Sequence, residues 1–273
     1  MLRGPLFVDS DNALGSPSGD IDDAIALAAL LRSGTPIETL ASVFGNTSAT
    51  LAQRNTHALA RLCGYTGACL SGAASPRSPL SEAAHRLADG TDGRTILALG
   101  PLTNIAQALA LEPGLGERIG ELICLGSNTT SLGRWPPLWP FEFNFTKDRA
   151  ATRRVFDAVA RIRVVPLDQA RRLRLRFADL ERIEGELGRY LRLHARRWFR
   201  RARWLKQQST VPIWDLVAVM ALLRPERFTT EARRVRAHPS GWIEYGAGER
   251  TVNVVVDFDP ASVWADALAL LNR

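Results

Sequence analysis

Five aspartates stand within fifteen residues near the start of the chain: Asp9, Asp11, Asp20, Asp22 and Asp23. They follow Leu6-Phe7-Val8, which reads as a buried strand, and the last two open a stretch of helical composition, Asp22 to Leu31. Carboxylates ~4 Å apart repel by a few kcal/mol per pair at a protein surface. Asp22 as a helix cap and Asp23 at the positive helix end account for two of them. Asp9 and Asp11 remain. A hard divalent cation, which takes several oxygen ligands, makes such a cluster favourable. An EF-hand does not fit, because Ala13 and Leu14 fall where a ligand and the invariant glycine belong.

Other apolar runs also end in polar residues. Val43-Phe44 leads to Gly45-Asn46-Thr47, and Leu97-Ala98-Leu99 leads to Gly100-Pro101-Leu102-Thr103-Asn104. Leu122 to Leu125 leads to Gly126-Ser127-Asn128, then a Trp- and Pro-rich loop, then Phe141-Glu142-Phe143-Asn144-Phe145. Asn46 and Asn104 also suit turns or helix caps. Glu142 and Asn144 alternate with three phenylalanines, the pattern of a half-buried strand. Together these residues supply many hydroxyl-recognising groups.

The elements that must position them alternate. Leu6–Val8, Ile37–Phe44, Thr95–Leu99, Glu121–Leu125 and Ile162–Val165 read as strands. Between them, Asp22–Leu31, Ala49–Leu62, Asn104–Leu111 and Asp148–Ala160 read as helices. The expected fold is α/β: one domain over residues 1–273, with a mostly parallel open sheet flanked by helices in the Rossmann-like manner. Ligands bind such sheets beyond the carboxyl ends of the strands, where the polar residues stand. After Pro166 the pattern changes. Residues 178–206 read as one or two exposed Arg-rich helices softly broken at Gly185 and Gly188, followed by an apolar helix at Trp214–Leu223. Val252–Val256 and Ser262–Leu271 return to strand and helix.

With 273 residues, 46% of them hydrophobic, the chain has ample material for a core, which excludes disorder as its main state. The longest apolar run, Ala24–Leu31, is far short of a membrane span. The N-terminus shows no apolar signal region, so a cytoplasmic protein is expected. Three cysteines without CxxC spacing indicate neither a disulfide framework nor a zinc site. The net charge of +7 is local: residues 171–206 hold 13 Lys or Arg against 4 Asp or Glu, and the remainder holds 22 against 24. Nearly all the basic residues are arginine, which genome base composition alone can impose, so nucleic acid is not expected as a partner on charge alone.

These residues carry a resemblance. Asp9-Ser-Asp11 with Asp22-Asp23-Ala24, Val43-Phe-Gly-Asn46, Leu97-Ala-Leu-Gly-Pro-Leu-Thr103-Asn104-Ile-Ala106, Glu142-Phe-Asn144 and Trp214-Asp215-Leu-Val-Ala218 are five ordered motifs. The chain resembles the inosine–uridine-preferring nucleoside hydrolases from its first strand to its last helix. The resemblance implies Ca²⁺-dependent hydrolysis of the N-glycosidic bond of a small-molecule ribonucleoside, giving ribose and a free base, in a homodimer or homotetramer. It implies Asp11, Asp23, Asp215 and the Thr103 carbonyl as calcium ligands and Asp11 as general base, with Asp9 supporting the loop. Asp22, Asn46, Glu142 and Asn144 would hold the ribose, and Trp214 would lie on the substrate side. Two other readings are an N-ribosyl hydrolase for a modified or phosphorylated nucleoside and a nonenzymatic nucleoside- or RNA-binding protein.

Three features depart from the family pattern. Ten residues, Asn12–Ile21, separate the second and third motif aspartates where about three are usual, and this stretch is expected to bulge over the site with Asp20 as an extra acid. Trp214 replaces the histidine that protonates a leaving purine. The loop from Thr129 to Pro140 is long and carries Trp135 and Trp139, which suit either stacking on a base or packing under the loop. The Arg-rich segment, with Trp198 and Trp204, falls where the family lines the base side of the pocket; it reads foremost as a solvated face or a subunit interface.

Overall fold

β1 (Leu6–Ser10) is buried at all five positions, as a strand covered on both faces must be. Its side chains alternate: Leu6 and Val8 enter one core, and Phe7 enters the other. The computed structural model describes residues 4–16, 19–90, 92–129 and 142–273. Pro17, Ser18, Trp135, Trp139 and Phe141 therefore lie outside the described residues.

After β1 come α1 (Asp22–Arg32), β2 (Ile37–Ser42), α2 (Ala49–Leu62), β3 (Ala68–Leu70), α3 (Glu82–Ala88), β4 (Thr95–Ala98), α4 (Thr103–Leu111), α5 (Leu115–Arg118) and β5 (Glu121–Leu125). Next are α6 (Asn144–Lys147), α7 (Arg149–Ala158), β6 (Ile162–Val165), α8 (Leu167–Ala170) and β7 (Arg174–Leu175). α9 (Gly185–Lys206), β8 (Val211–Pro212), α10 (Trp214–Leu223), β9 (Phe228–Ala237), β10 (Ile243–Tyr245), β11 (Arg250–Phe258) and α11 (Pro260–Leu271) complete the chain. The main sheet has nine strands in the order β10-β9-β11-β6-β5-β4-β1-β2-β3. β1 to β6 and β11 pair in parallel, and among the described strands of this sheet β9 alone runs against the others, pairing antiparallel with β11 and with the edge strand β10. The expected α/β architecture is the observed one.

α1, α10 and α11 supply one core, and α3, α4 and α7 supply the other. α1 packs closely on α10, which brings the first turns of both helices, and their aspartates, to the carboxyl end of β1.

Three expectations change. Gly188 does not break the Arg-rich helix, which runs unbroken from Gly185; a side chain at 188 would collide with the Ile183 carbonyl, so this glycine permits close packing. Residues 142–145 of the phenylalanine segment do not form a strand, because Asn144 begins a short helix. The β9–β10 hairpin had no counterpart in the sequence reading. β9 is mostly exposed and carries Glu231, Arg233, Arg234 and Arg236, so no apolar alternation marks it.

Candidate active site

The acidic cluster is built around Asp11, the residue that leaves β1. One of its oxygens, Oδ2, accepts the Asn46 backbone N–H at 2.6 Å. A side chain at Gly45 would collide with this carboxylate, and one at Gly100 would come within 3.3 Å of it. Both glycines are thus required by the close approach of two strand-end turns to Asp11. The Ser10 hydroxyl donates to Asp23 at 2.6 Å, and Asp215 lies within hydrogen-bonding reach of Asp23. The expected cap is absent: Ile21 occupies the N-cap of α1, and no side chain caps that end. Asp22 is the first residue of the helix itself and lies with Asp23 in its first turn.

Asp9 lies on the same side of β1 as Phe7. It accepts from Asn104 Nδ2 at 2.9 Å. Asn104 is neither a turn nor a cap residue, being the second residue of α4 and fully buried. Its amide also donates to the Ser42 carbonyl, and its oxygen accepts from the Ala73 N–H and the Ser81 hydroxyl. Both donors and both lone pairs are used, so one side chain ties four segments behind the site.

Glu142 accepts the backbone N–H groups of Phe145 and Thr146 at 2.9 and 2.8 Å, capping the short helix α6. Asn144 donates to the Leu99 and Leu125 carbonyls, both at 3.0 Å, and so fastens the ends of β4 and β5. Thr103 opens α4 and gives its hydroxyl to Asp148, the N-cap of α7, at 2.8 Å. Trp214 and Asp215 form the first turn of α10, Trp214 half-buried and Asp215 buried.

In the stretch Asn12–Ile21, the described residues Asn12–Ser16 fold back onto α2 and Thr47. Ala13 and Leu14 are buried, the Asn12 carbonyl accepts from Asn55 of α2, and the Ser16 hydroxyl meets that of Thr47. This return brings Asp20 to Asn46, whose amide nitrogen donates to both Asp20 oxygens at 2.9 Å. Carboxylate oxygens of Asp20, Asp22 and Asp23 lie within 4.8 Å of one another. At the outer edge, Gly15 lies against His194 of α9.

Burial pushes Asp9, Asp11, Asp22, Asp23, Asp215 and Glu142 upward. Asp9 and Asp23 rise to about 7, and Asp11, Asp22 and Asp215 rise well above the carboxylate range, with their mutual repulsion adding to desolvation. Glu142 rises to about 7, again chiefly by burial. Among the described residues no Lys, Arg or His pairs with Asp11, Asp20, Asp22, Asp23 or Asp215. One oxygen each of Asp22, Asp23 and Asp215 is buried with no hydrogen-bond partner. Unpartnered buried carboxylate oxygens facing one another need a cation or protons. An all-oxygen donor set of this kind suits a hard divalent metal ion.

Comparison with known proteins decides what kind of site this is. Residues 7–265 match the family described as inosine-uridine preferring nucleoside hydrolase. The chain belongs to that family. It is therefore an N-glycosyl hydrolase by class, with a cluster of acidic residues that could hold a metal ion. Among curated relatives it is 28% identical to uridine nucleosidase 1 of Arabidopsis thaliana, covering 86% of this chain and 79% of that protein. It is also 28% identical to the non-specific ribonucleoside hydrolase RihC of Escherichia coli, covering 93% and 89%. Among solved structures, the plant nucleoside hydrolase PpNRh1 superposes with a TM-score of 0.80 at 21% identity, over 99% of both chains. An inosine-guanosine nucleoside hydrolase gives 0.79 at 19%, again over 99% of each.

Within this nucleoside hydrolase, the structure gathers Asp11, Asp22, Asp23, Asn46 and Asp215 at the carboxyl end of β1 and binds Asn144 to the neighbouring ends of β4 and β5. The Thr103 hydroxyl is given to Asp148. Asp20 is the acid that the expected ligand and ribose sets left out. Its signal was only its place near the other aspartates, since its position depends on how the preceding loop folds.

Proposed function

We propose that this chain hydrolyses the N-glycosidic bond of ribonucleosides in a calcium-dependent reaction, releasing ribose and a free base. The observation that carries the reading is the set of buried, unpartnered oxygens on Asp22, Asp23 and Asp215 beside an Asp11 held by the Asn46 N–H. The residues that would hold the ion are Asp11, Asp23 and Asp215 with one backbone carbonyl. Thr103 was the expected source of that carbonyl. The strand-end peptide Leu99–Gly100 is the better one, because Gly100 packs against Asp11, whereas Thr103 is the first residue of α4 and its carbonyl points along that helix. Calcium suits this set because it accepts many oxygen ligands in flexible geometry, and when bound it supplies Lewis acidity and an anchor for sugar hydroxyls.

Asp11 acts as the general base, taking a proton from the attacking water. With Oδ2 held by Asn46, the proton goes to Oδ1. The sugar develops positive charge as the bond to the base breaks, and the ring of carboxylates stabilises that charge in a site largely closed to water. Asp22, Asn46, Glu142 and Asn144 hold the ribose. Asn144 has both amide protons committed to carbonyls, so it offers the sugar its oxygen. Glu142 is positioned by α6, whose N–H groups keep its carboxylate aimed. Trp214 stands at the base side, where a histidine would protonate a departing purine, so bases that leave without a proton are the better substrates.

The test is release of reducing sugar from a panel of purine, pyrimidine and modified ribonucleosides, with and without a calcium chelator. Release that stops on chelation and returns with Ca²⁺ is expected. Release indifferent to the chelator overturns the reading.

A further inference from the structure

α9 carries a second unbalanced set of charges, opposite in sign and on its solvent face. Arg189, Arg196, Arg197, Arg200, Arg201 and Arg203 are all exposed. At 100° per residue they share one face of the helix with Leu193, 64% exposed, and Trp204, 82% exposed. The opposite face, including Leu187, Leu191, Ala195, Phe199 and Ala202, is buried in the core. Among the described residues none of these six arginines makes a hydrogen bond or an ion pair. Arg192, at the edge of the face, shows the alternative by donating to the Leu180 and Ile183 carbonyls.

We propose that this face binds single-stranded RNA. From Arg189 to Arg203 the cationic face runs roughly 21 Å along a helix whose inner side is held rigidly by the core. A polyanion matches it in charge, and arginine forks suit phosphates while also stacking on bases. An exposed tryptophan among arginines is the arrangement by which proteins hold unpaired bases without reading sequence. A second copy of the chain is a poor occupant, since an isologous contact would set arginine against arginine. A lipid surface is a poorer fit as well. Leu193 and Trp204 stand three turns apart and form no continuous apolar strip to insert. The arginine content alone gave no reason to expect nucleic acid; the gathering of unpaired arginines around one exposed indole does.

The experiment measures fluorescence anisotropy of a labelled single-stranded oligouridylate of about twelve nucleotides with the whole protein over a salt series. The expected result is binding whose log affinity falls linearly with log salt, with a slope of about −3 to −4 for ~5 phosphate contacts. A variant carrying R196E, R197E and R200E is expected to bind more than about tenfold more weakly with a shallower slope. Trp204→Ala is expected to lose roughly fivefold with the slope unchanged. Should the charge-reversed chain fail to fold by circular dichroism, a variant carrying R196Q, R200Q and R203Q replaces it, with the same weakening expected. RNA affinity unchanged in the folded variants overturns the proposal. So does an absence of RNA binding at low salt, or binding to phosphatidylserine vesicles that RNA does not displace.

Discussion

The acidic crevice at the end of β1 and the arginine face of α9 are both sets of like charges without internal counter-charges, yet they behave oppositely. In the crevice the charges are buried, and desolvation pushes the carboxyls of Asp9 and Asp23 up to about 7. On α9 the arginines stand in water and cost little to hold. Burial therefore makes the acidic set dependent on a bound cation for its charged form, while the basic set is complete without any ligand. The fold follows the same division: α1 and α10 aim their positive ends at the aspartates, which softens the repulsion but leaves three oxygens unpartnered.

Breaking the crevice gives the largest effect. Asp11→Ala is expected to lower ribose release by about 10³-fold or more, as loss of a base and ion ligand should. Asp11→Asn should do the same while raising the melting temperature of the metal-free protein, because one buried negative charge is gone. Steady-state sugar release and thermal melts check both. Gly45→Ala comes next. Its methyl must displace the Asp11 carboxylate, so calcium affinity and activity should fall by about 10–100-fold, read by calcium titration and initial rates.

The pH response sharpens the contrast. A carboxyl that titrates near 4 when unfolded and at about 7 when folded keeps its proton longer in the native state. Asp9, Asp23 and Glu142 are such groups. In the metal-free protein the native state then binds more protons between those values, so stability falls as pH rises through that window. Chelated protein should melt several degrees higher at pH 5 than at pH 8, and added Ca²⁺ should stabilise it far more at pH 8. Equal calcium stabilisation at both values would break this account of the crevice. Ribose recognition is tested by 2′-deoxyribonucleosides, expected to react at least tenfold more slowly, since the missing hydroxyl leaves its polar partners unpaired. Arg196→Glu should change the stability of the folded protein by less than about 0.5 kcal/mol in a denaturant melt, the smallest effect of all.

Much of the site was legible because it follows a simple rule: polar residues standing where apolar strands end. Asp11 after Val8, Asn46 after Val43 and Asn104 after Leu99 all lie at the mouth or back of the crevice. What stayed illegible depended on contacts between distant segments. Asp20 reads as an extra acid over the site, but its bond to Asn46 depends on Asn12–Ser16 folding back onto α2 and Thr47. Glu142 and Asn144 alternate with phenylalanines as a strand would, but bonds from Phe145 and Thr146 turn the segment into a helix start. Gly188 looked like a helix break because sequence cannot show the Ile183 carbonyl pressed against it. The β9 strand left no periodic trace, since charged residues stand along most of its length.

The most direct measurement of the central claim is calorimetric titration of chelated protein with Ca²⁺, for the wild type and for Asp215→Asn, a substitution that keeps the shape and removes one charge. The account predicts one site per chain in the wild type, protons released on binding at pH 7, and at least tenfold weaker binding in the variant. Calcium bound equally well by the variant, or no binding by a folded wild-type chain, would contradict it.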